Sequence, residues 1–240
     1  MDVSKTSMNK GIIFYTDSQL DESIARPVRE SILKSGLPII STSLKALDFG
    51  RNIVVDGKRG YVTMMSQIIT ALEESTAKYV FFCEHDVLYP ESHFDFTPPN
   101  DSVDIFYYND NVWRWEIGSD KAVRHDRMIP LSTMCCDRKL ALEFYEYRWK
   151  KMEEIGLEKF DNPQSDIMRK WGFEPGTKKK KRGGLTDDDF ATWSSKEPVI
   201  DIRHKGTFSP TKVKLESFKH KPKNWREISI NELPICNLVF

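Results

Sequence analysis

Apolar and polar positions alternate in blocks along the first third of the chain. Residues 11–16 form a short apolar run, and residues 21–34 place apolar side chains close to helical spacing before a second run at residues 38–44. The order repeats when residues 61–74 again show helical spacing and another apolar run begins at Tyr79. This strand–helix–strand succession predicts parallel strands joined by right-handed crossovers. We therefore predict an α/β fold, a Rossmann-like αβα sandwich with a mostly parallel central sheet.

The remainder of the chain gives weaker signals. The pattern predicts a loop at residues 48–60, and further elements are predicted as strands at residues 103–108, 128–136 and 199–204 and as helices at residues 138–155 and 166–171. From the length of 240 residues we expect one domain over residues 1–204. A basic C-terminal tail, residues 205–240, is expected to pack on the same domain.

The third apolar run leads directly into a cluster of polar side chains. Tyr79-Val80-Phe81-Phe82 has the composition of a strand that is buried on both faces, and Glu84-His85-Asp86 follows almost at once. Because unpaired carboxylates are costly to bury, these three residues should lie at the C-terminal end of the strand, where open α/β sheets bind ligands. Two carboxylates separated by one residue can hold a divalent cation, which in turn can neutralise a diphosphate. A polar loop after a strand is the simpler interpretation of the same residues.

Overall charge does not distinguish between classes of partner. Lys plus Arg and Asp plus Glu each total 36. The 39% of apolar residues is below the globular average and 30% of the residues are charged, which predicts a soluble protein with a well-solvated surface. Met1 to Lys10 lacks the apolar core of a signal peptide, and no stretch approaches the roughly 20 apolar residues of a membrane span. The four Cys match no zinc-ribbon spacing. We expect a reduced, cytoplasmic setting.

The turn after the first predicted strand carries no nucleotide-binding glycine motif. Asp17-Ser18-Gln19-Leu20 contains neither Gly-x-Gly-x-x-Gly nor a phosphate-binding loop with its Lys. This argues against a dinucleotide-dependent dehydrogenase and a P-loop enzyme. A nucleotidyltransferase shares the αβα core and metal-binding carboxylates, but usually has a Gly-rich loop with Lys or Arg at this point; that class stays as an alternative.

Residues 71–94 resemble the nucleotide-sugar-binding core of GT-A fold glycosyltransferases, especially the family-two group. The residues that carry the resemblance are Ala77-Lys78-Tyr79-Val80-Phe81-Phe82-Cys83-Glu84-His85-Asp86, followed by Pro90-Glu91. They are similar to a strand that reads aromatic-apolar-Asp-x-Asp and is followed by a Pro-Glu pair, although Glu84 stands where the family has its first Asp. The resemblance implies a GT-A fold with a donor half at residues 11–94 and an acceptor half at residues 95–204.

The resemblance also implies a donor site. Mn²⁺ or Mg²⁺ held by Asp86 and Glu84 would bridge the phosphates of a nucleoside-diphosphate sugar, with His204 completing the coordination at the end of a late strand. His85, between the two acids, either contributes to this cofactor site or points back into the sheet. The remaining donor-binding candidates are Thr16 and Asp17, placed to meet the base or ribose, and Arg51 and Arg59, which could meet phosphate or uracil.

An inverting transferase also requires a general base for the acceptor hydroxyl. In the family that base is an acid that opens a short helix, and Ser165-Asp166-Ile167-Met168-Arg169 is similar to that pattern. Asp166 is therefore the first catalytic candidate, with helix capping as its alternative role. Glu174 is the second.

Two basic segments bear on the acceptor. One is the run Lys178, Lys179, Lys180, Lys181, Arg182, and the other is the tail after His204. Clustered basic residues would contact phosphates, which raises DNA with hydroxymethylated bases as an acceptor. Ordinary solvated charge explains the same residues, and glycan or lipid-linked sugar acceptors are commoner in the family. A non-catalytic nucleic-acid-binding module is a further alternative, in which Asp86 would have no role.

Overall fold

The computed structural model describes residues 9–99, 104–126, 128–161, 174–176, 190–207 and 211–233. Asp166 and the basic run at residues 178–182 lie outside the described residues. The strands in these ranges are β1 (Lys10–Thr16), β2 (Ile39–Ser43), β3 (Arg51–Val54), β4 (Tyr79–Glu84), β5 (Val87–Leu88), β6 (Phe106–Asn109), β7 (Val112–Glu116), β8 (Lys121–Arg124), β9 (Met134–Asp137), β10 (Phe190–Trp193), β11 (Val199–Arg203) and β12 (Arg226–Ser229). The α-helices are α1 (Glu22–Leu33), α2 (Tyr61–Glu74) and α3 (Arg138–Ile155).

The strands form two sheets. The larger has seven strands in the order β10-β6-β9-β4-β1-β2-β3, and the smaller has five in the order β12-β8-β7-β11-β5. In the larger sheet β9 runs antiparallel to both of its neighbours, and the other pairs are parallel. The protein is therefore an α/β protein with a mixed central sheet, in which β1 and β4 are adjacent and parallel.

Alternate residues of the central strands face two different layers. On β1, Ile12 and Phe14 pack with α1 and with the smaller sheet, whereas Ile13 and Tyr15 pack with α2 and α3. The aromatic residues of β4 alternate in the same way, with Phe81 on the first side and Phe82 on the second. Each is completely buried, which contributes about 1.5–3 kcal/mol per side chain. The continuous apolar run in the sequence is explained by this two-sided burial.

The strongly periodic segments were predicted well. Helices α2 and α3 have the predicted bounds, and α1 begins and ends one residue inside the predicted 21–34. The elements that the pattern missed are short or exposed: β3 lies within the predicted loop at residues 48–60, and both of its end residues are exposed. The strand predicted at residues 128–136 begins at Met134, because a 3-10 turn at Leu131–Thr133 comes before it.

The smaller sheet is the main feature that the sequence did not predict. It contains β11, which was predicted as a strand without an assigned partner, and it places β11 parallel to β7. The C-terminal region contributes β12, which pairs antiparallel with β8. Leu233, just after β12, is buried in the core cluster that includes β7 and β11. Among the described residues, no helix has both the length and the apolar character that a membrane crossing requires.

Candidate active site

The C-terminal ends of β1 and β4 bring two polar turns together. Tyr15 and Glu84 are partners in the parallel register, so the residues that follow each strand lie side by side. The hydroxyl of Tyr15 donates to Oε1 of Glu84 at 2.6 Å. One residue further along, Oγ1 of Thr16 on β1 lies 2.8 Å from Nδ1 of His85, which follows β4.

The smaller sheet brings the third part of the site. The amide of Ile202 on β11 donates to the carbonyl of Asp86 at 2.9 Å, which ties the end of β11 to the turn after β4. His204 follows directly, and its Nε2 lies 3.4 Å from Oδ2 of Asp86. His85, Asp86 and His204 each offer one ligand atom, and these atoms all lie within 4.8 Å of one another.

The three side chains fit a divalent cation. Metal–nitrogen and metal–oxygen bonds of about 2.0–2.2 Å allow one ion to reach two atoms that are 3.4 Å apart. Nε2 of His204 is buried and has no hydrogen-bond partner among the described residues. Its other nitrogen, Nδ1, accepts from the Gly206 amide at 3.1 Å, which places the proton of the neutral ring on Nε2. A cation bound here therefore displaces that proton, as is usual when metals bind imidazole.

The environment shifts the pKa values of Glu84 and Asp86 in opposite directions. Burial would raise the pKa of Asp86, but its contact with His204, together with the influence of His85 and of the Arg203 guanidinium, outweighs burial and lowers that pKa. Burial and the charge of Asp86 raise the pKa of Glu84 to about 8, against the opposing effect of the Tyr15 hydrogen bond. At neutral pH, Asp86 is the carboxylate that carries the negative charge.

A cleft of about 630 Å³ opens beside this cluster, a size typical of small-molecule sites. Its polar wall comes from the turns after β1, β4 and β11, and an apolar wall includes Leu20 and Ile24. The polar residues that matter below are Asp17, Arg59, His85, Arg203 and His204.

Arg59 joins two of the turns that line the cleft. Its Nε donates to Oδ2 of Asp17 at 2.5 Å, and its guanidinium also donates to the carbonyl of Gly206. Oδ1 of Asp17 lies 3.9 Å from Nδ1 of His85. The structure thus places Thr16, Asp17 and Arg59 next to the turn that carries His85 and Asp86.

Arg203 is a cleft residue that the sequence interpretation missed. It is 6% exposed, lines the cleft, and pairs with Oδ2 of Asp201 at 2.5 Å. Arg114 on the neighbouring β7 reaches the same oxygen at 3.1 Å. A signal was available, because Arg203 is a charged residue inside the apolar run 199–204 and stands next to His204.

The structure does not bring every candidate to the cleft. Arg51 lies at the start of β3, at the edge of the sheet, where it pairs with Glu74. Glu84 lies next to the three candidate metal ligands His85, Asp86 and His204 (the metal-binding set) but is not one of them. Glu174 lies near buried tyrosines: burial raises the pKa of Tyr108, and the charge of Glu174 adds to that shift. The adjacent carbonyl of Pro175 accepts from the Tyr108 hydroxyl at 2.6 Å, near the C-terminal end of β6.

Together these features define an α/β protein with a polar cleft and a candidate cation site at the C-terminal ends of its central parallel strands. No protein-family model and no curated protein matches the chain. Matching solved structures include the glycosyltransferase GlyE of Streptococcus pneumoniae TIGR4 in its apo form, with a TM-score of 0.41, 12% identity, and coverage of 65% of this chain and 40% of that chain. TarS 1-349 of S. aureus in complex with UDP matches with a TM-score of 0.44, 10% identity, and coverage of 82% and 61%.

A third match is the inositol-1-phosphate CTP transferase of T. maritima, with a TM-score of 0.36, 12% identity, and coverage of 62% of this chain and 83% of that chain. The chain spans 40% of the GlyE chain and 61% of the TarS 1-349 chain. The evidence for a function therefore comes from the geometry of the cleft itself.

Proposed function

We propose that this protein is a metal-dependent glycosyltransferase that moves a sugar from a nucleoside-diphosphate sugar, a UDP-sugar, to an acceptor hydroxyl. The observation that carries the proposal is the cluster of Asp86, His85 and His204, whose two imidazoles line a cleft that also presents Arg59 and Arg203. A carboxylate and imidazoles suit a divalent cation, and the arginines suit phosphate oxygens. A diphosphate complexed with a cation satisfies both groups.

Each residue has a distinct part in binding the donor. Asp86 and His204 would hold the cation, and a bound cation would supply the positive charge that neutralises a departing diphosphate. Arg203, held in place by Asp201, directs a buried positive charge toward the cleft. Asp17 lies at the end of β1, where its carboxylate can accept from a ribose hydroxyl or the base, and Arg59 fixes its orientation.

The acceptor is the less defined half of the reaction. Glycans and lipid-linked sugars fit a transferase of this class, and hydroxymethylated DNA bases are suggested by the basic segments. The C-terminal region from Lys205 onward begins in the cleft itself, since Lys205 and Thr211 line it. Its other basic residues within the described ranges are exposed, and they are Lys212, Lys214, Lys219, Lys221, Lys223 and Arg226. An anionic acceptor would meet these charges as it enters the cleft.

The proposal is tested by the release of free nucleoside diphosphate from a panel of nucleotide sugars, with and without added Mn²⁺. Without acceptor, we expect one donor to release its nucleoside diphosphate slowly through metal-dependent hydrolysis. When glycan or hydroxymethylated DNA is added, the release should become faster because the sugar is transferred to the acceptor. A parallel reaction with nucleoside triphosphates and sugar phosphates measures pyrophosphate. Pyrophosphate without nucleoside diphosphate would identify a nucleotidyltransferase, and DNA binding with neither product would identify a nucleic-acid-binding module.

The general base is expected among Glu174 and Asp166. Removing a positioned base typically costs ~10²–10⁴-fold in rate, so we expect one of Glu174→Gln and Asp166→Asn to lower transfer by that factor. Donor hydrolysis and donor affinity should change little, because a general base acts on the acceptor hydroxyl and not on the donor. Transfer and hydrolysis are measured side by side with the two variants. Equal loss of both activities would instead assign the residue to donor binding or folding.

A further inference from the structure

His85, Asp86 and His204 together offer two nitrogen atoms and one oxygen atom as candidate metal ligands. We infer, building on the proposed function, that His85 takes the ligand position that the sequence assigns to Glu84. The cation site is then formed by His85, Asp86 and His204, and it selects a first-row transition-metal ion over Mg²⁺.

Glu84 is held away from this set by its own partners. Its Oε1 accepts from the Tyr15 hydroxyl at 2.6 Å, and its backbone amide donates to the Tyr89 hydroxyl at 3.0 Å. These two tyrosines are buried on opposite faces of the central sheet. The carboxylate is therefore fixed at the last position of β4, one residue before the turn that carries the ligands.

His85 has the surroundings of a metal-ligating histidine. Its Nδ1 lies 2.8 Å from Oγ1 of Thr16 and 3.9 Å from Oδ1 of Asp17. An acceptor and a carboxylate on this side favour a proton on Nδ1, which leaves the lone pair on Nε2. Metal-bound histidines are usually oriented in this way by an oxygen partner on the second nitrogen. Thr16 and Asp17 thus act through His85 as positioning residues.

The ligand types determine which ions bind well. Mg²⁺ prefers oxygen ligands and retains several waters, whereas imidazole suits transition metals. Two imidazoles and one carboxylate with further positions open is an arrangement found for transition-metal ions, and the open positions are available to phosphate oxygens. We expect Co²⁺ and Mn²⁺ to bind the nucleotide-free protein, with Co²⁺ at least ~100-fold tighter than Mg²⁺.

The test is a titration of the nucleotide-free, full-length chain with CoCl₂, followed by visible d–d absorption. Bound Mn²⁺ is measured by electron paramagnetic resonance, with Mg²⁺ as competitor. One equivalent of Co²⁺ should give a d–d spectrum typical of Co²⁺ with nitrogen ligands, and excess Mg²⁺ should not remove that spectrum. His85→Asn should weaken Co²⁺ binding by at least ~10-fold and change the spectrum, since the loss of even a supporting residue costs ~10–100-fold in metal affinity.

Two further variants decide between the ligand sets. Glu84→Gln keeps an oxygen for the Tyr15 hydrogen bond and should retain Co²⁺ affinity within about threefold. A larger loss is expected only for a ligand or for a residue that supports a ligand, and Glu84 is neither in this arrangement. His220→Asn removes an exposed imidazole of the C-terminal region and serves as the matched control. Circular dichroism checks that each variant is folded. If Glu84→Gln abolishes binding while His85→Asn does not, or if Mg²⁺ competes as well as Mn²⁺, the inference is overturned. Metal binding as expected, without nucleoside-diphosphate release from any donor, would leave this inference intact and remove the proposed function.

Discussion

Replacing Asp86 with Asn is expected to lower metal-dependent release of nucleoside diphosphate by ~10²–10³-fold, the loss typical when one electrostatic group is removed from an active site. Asn keeps the size of the side chain but removes the negative charge that faces His204 at 3.4 Å. Asp86 is the ionised carboxylate of the turn, because its positive neighbours lower its pKa while burial raises that of Glu84. No other member of the metal-binding set carries a negative charge.

The experiment compares initial rates of UDP release at saturating Mn²⁺ for the native chain, Asp86→Asn and a matched control. Asp95→Asn is suitable as the control, since Asp95 is exposed and its carbonyl accepts from Lys10 at the opposite end of β1. The control should release UDP at the native rate. Native-like release by Asp86→Asn would mean that the cation, if one is needed, binds elsewhere, and the proposed function would lose its main support.

The parts of the site that sequence could predict lie at the ends of strongly apolar strands. β1 and β4 are buried on both faces, so their boundaries were visible as abrupt changes from apolar to polar residues at Asp17 and Glu84. The parallel order of β1 and β4 then follows from the intervening helices. His204, at the end of the apolar run of β11, was a candidate metal ligand because of the resemblance to the GT-A glycosyltransferases.

Sequence could not predict how the side chains of the acidic turn divide their roles. Whether Glu84 or His85 faces the cation depends on the cross-strand register that gives Glu84 to Tyr15 and His85 to Thr16. The smaller sheet was missed because its strands have between two and five residues, and β11 and β12 pair with segments far earlier in the chain. The burial of Arg203 depends on the β7–β11 register, which places Arg114 opposite Asp201.

His93 is expected to make the native state sensitive to acid. The imidazole is completely buried, stacks on Trp193 with ring centroids 5.6 Å apart, and accepts at Nδ1 from the side-chain amide of Asn109 at 3.0 Å. The neutral ring therefore carries its proton on Nε2, which has no hydrogen-bond partner among the described residues, and a second proton would have to bind Nδ1 against the NH₂ group of Asn109. Burial lowers the pKa of His93 from 6.5 to about 3.

The direction of the pH effect follows from the lowered pKa. As pH falls below 6.5 the unfolded chain takes up a proton that the folded chain refuses until about pH 3, so unfolding is favoured. The stability contributed by neutral His93 is complete above pH 6.5 and is lost as pH falls toward 3. At pH 5 the loss is about 2 kcal/mol of the free energy of unfolding, from 1.4 kcal/mol for each pH unit.

Urea unfolding of the native chain and of His93→Gln, at about pH 7.5 and pH 5, measures this contribution. The glutamine side chain keeps an acceptor for Asn109 but cannot take up a proton, so the variant should be less stable at pH 7.5 through lost aromatic packing and should lose ~2 kcal/mol less than the native chain between the two pH values. His220→Gln, which changes an exposed imidazole, should follow the native pH dependence. If the free energy of unfolding changes equally between the two pH values for the native chain and for His93→Gln, His93 is not the group that loses its proton on folding. Because carboxylates contribute to both curves alike, the difference between the two slopes isolates His93 even though neither slope does so alone.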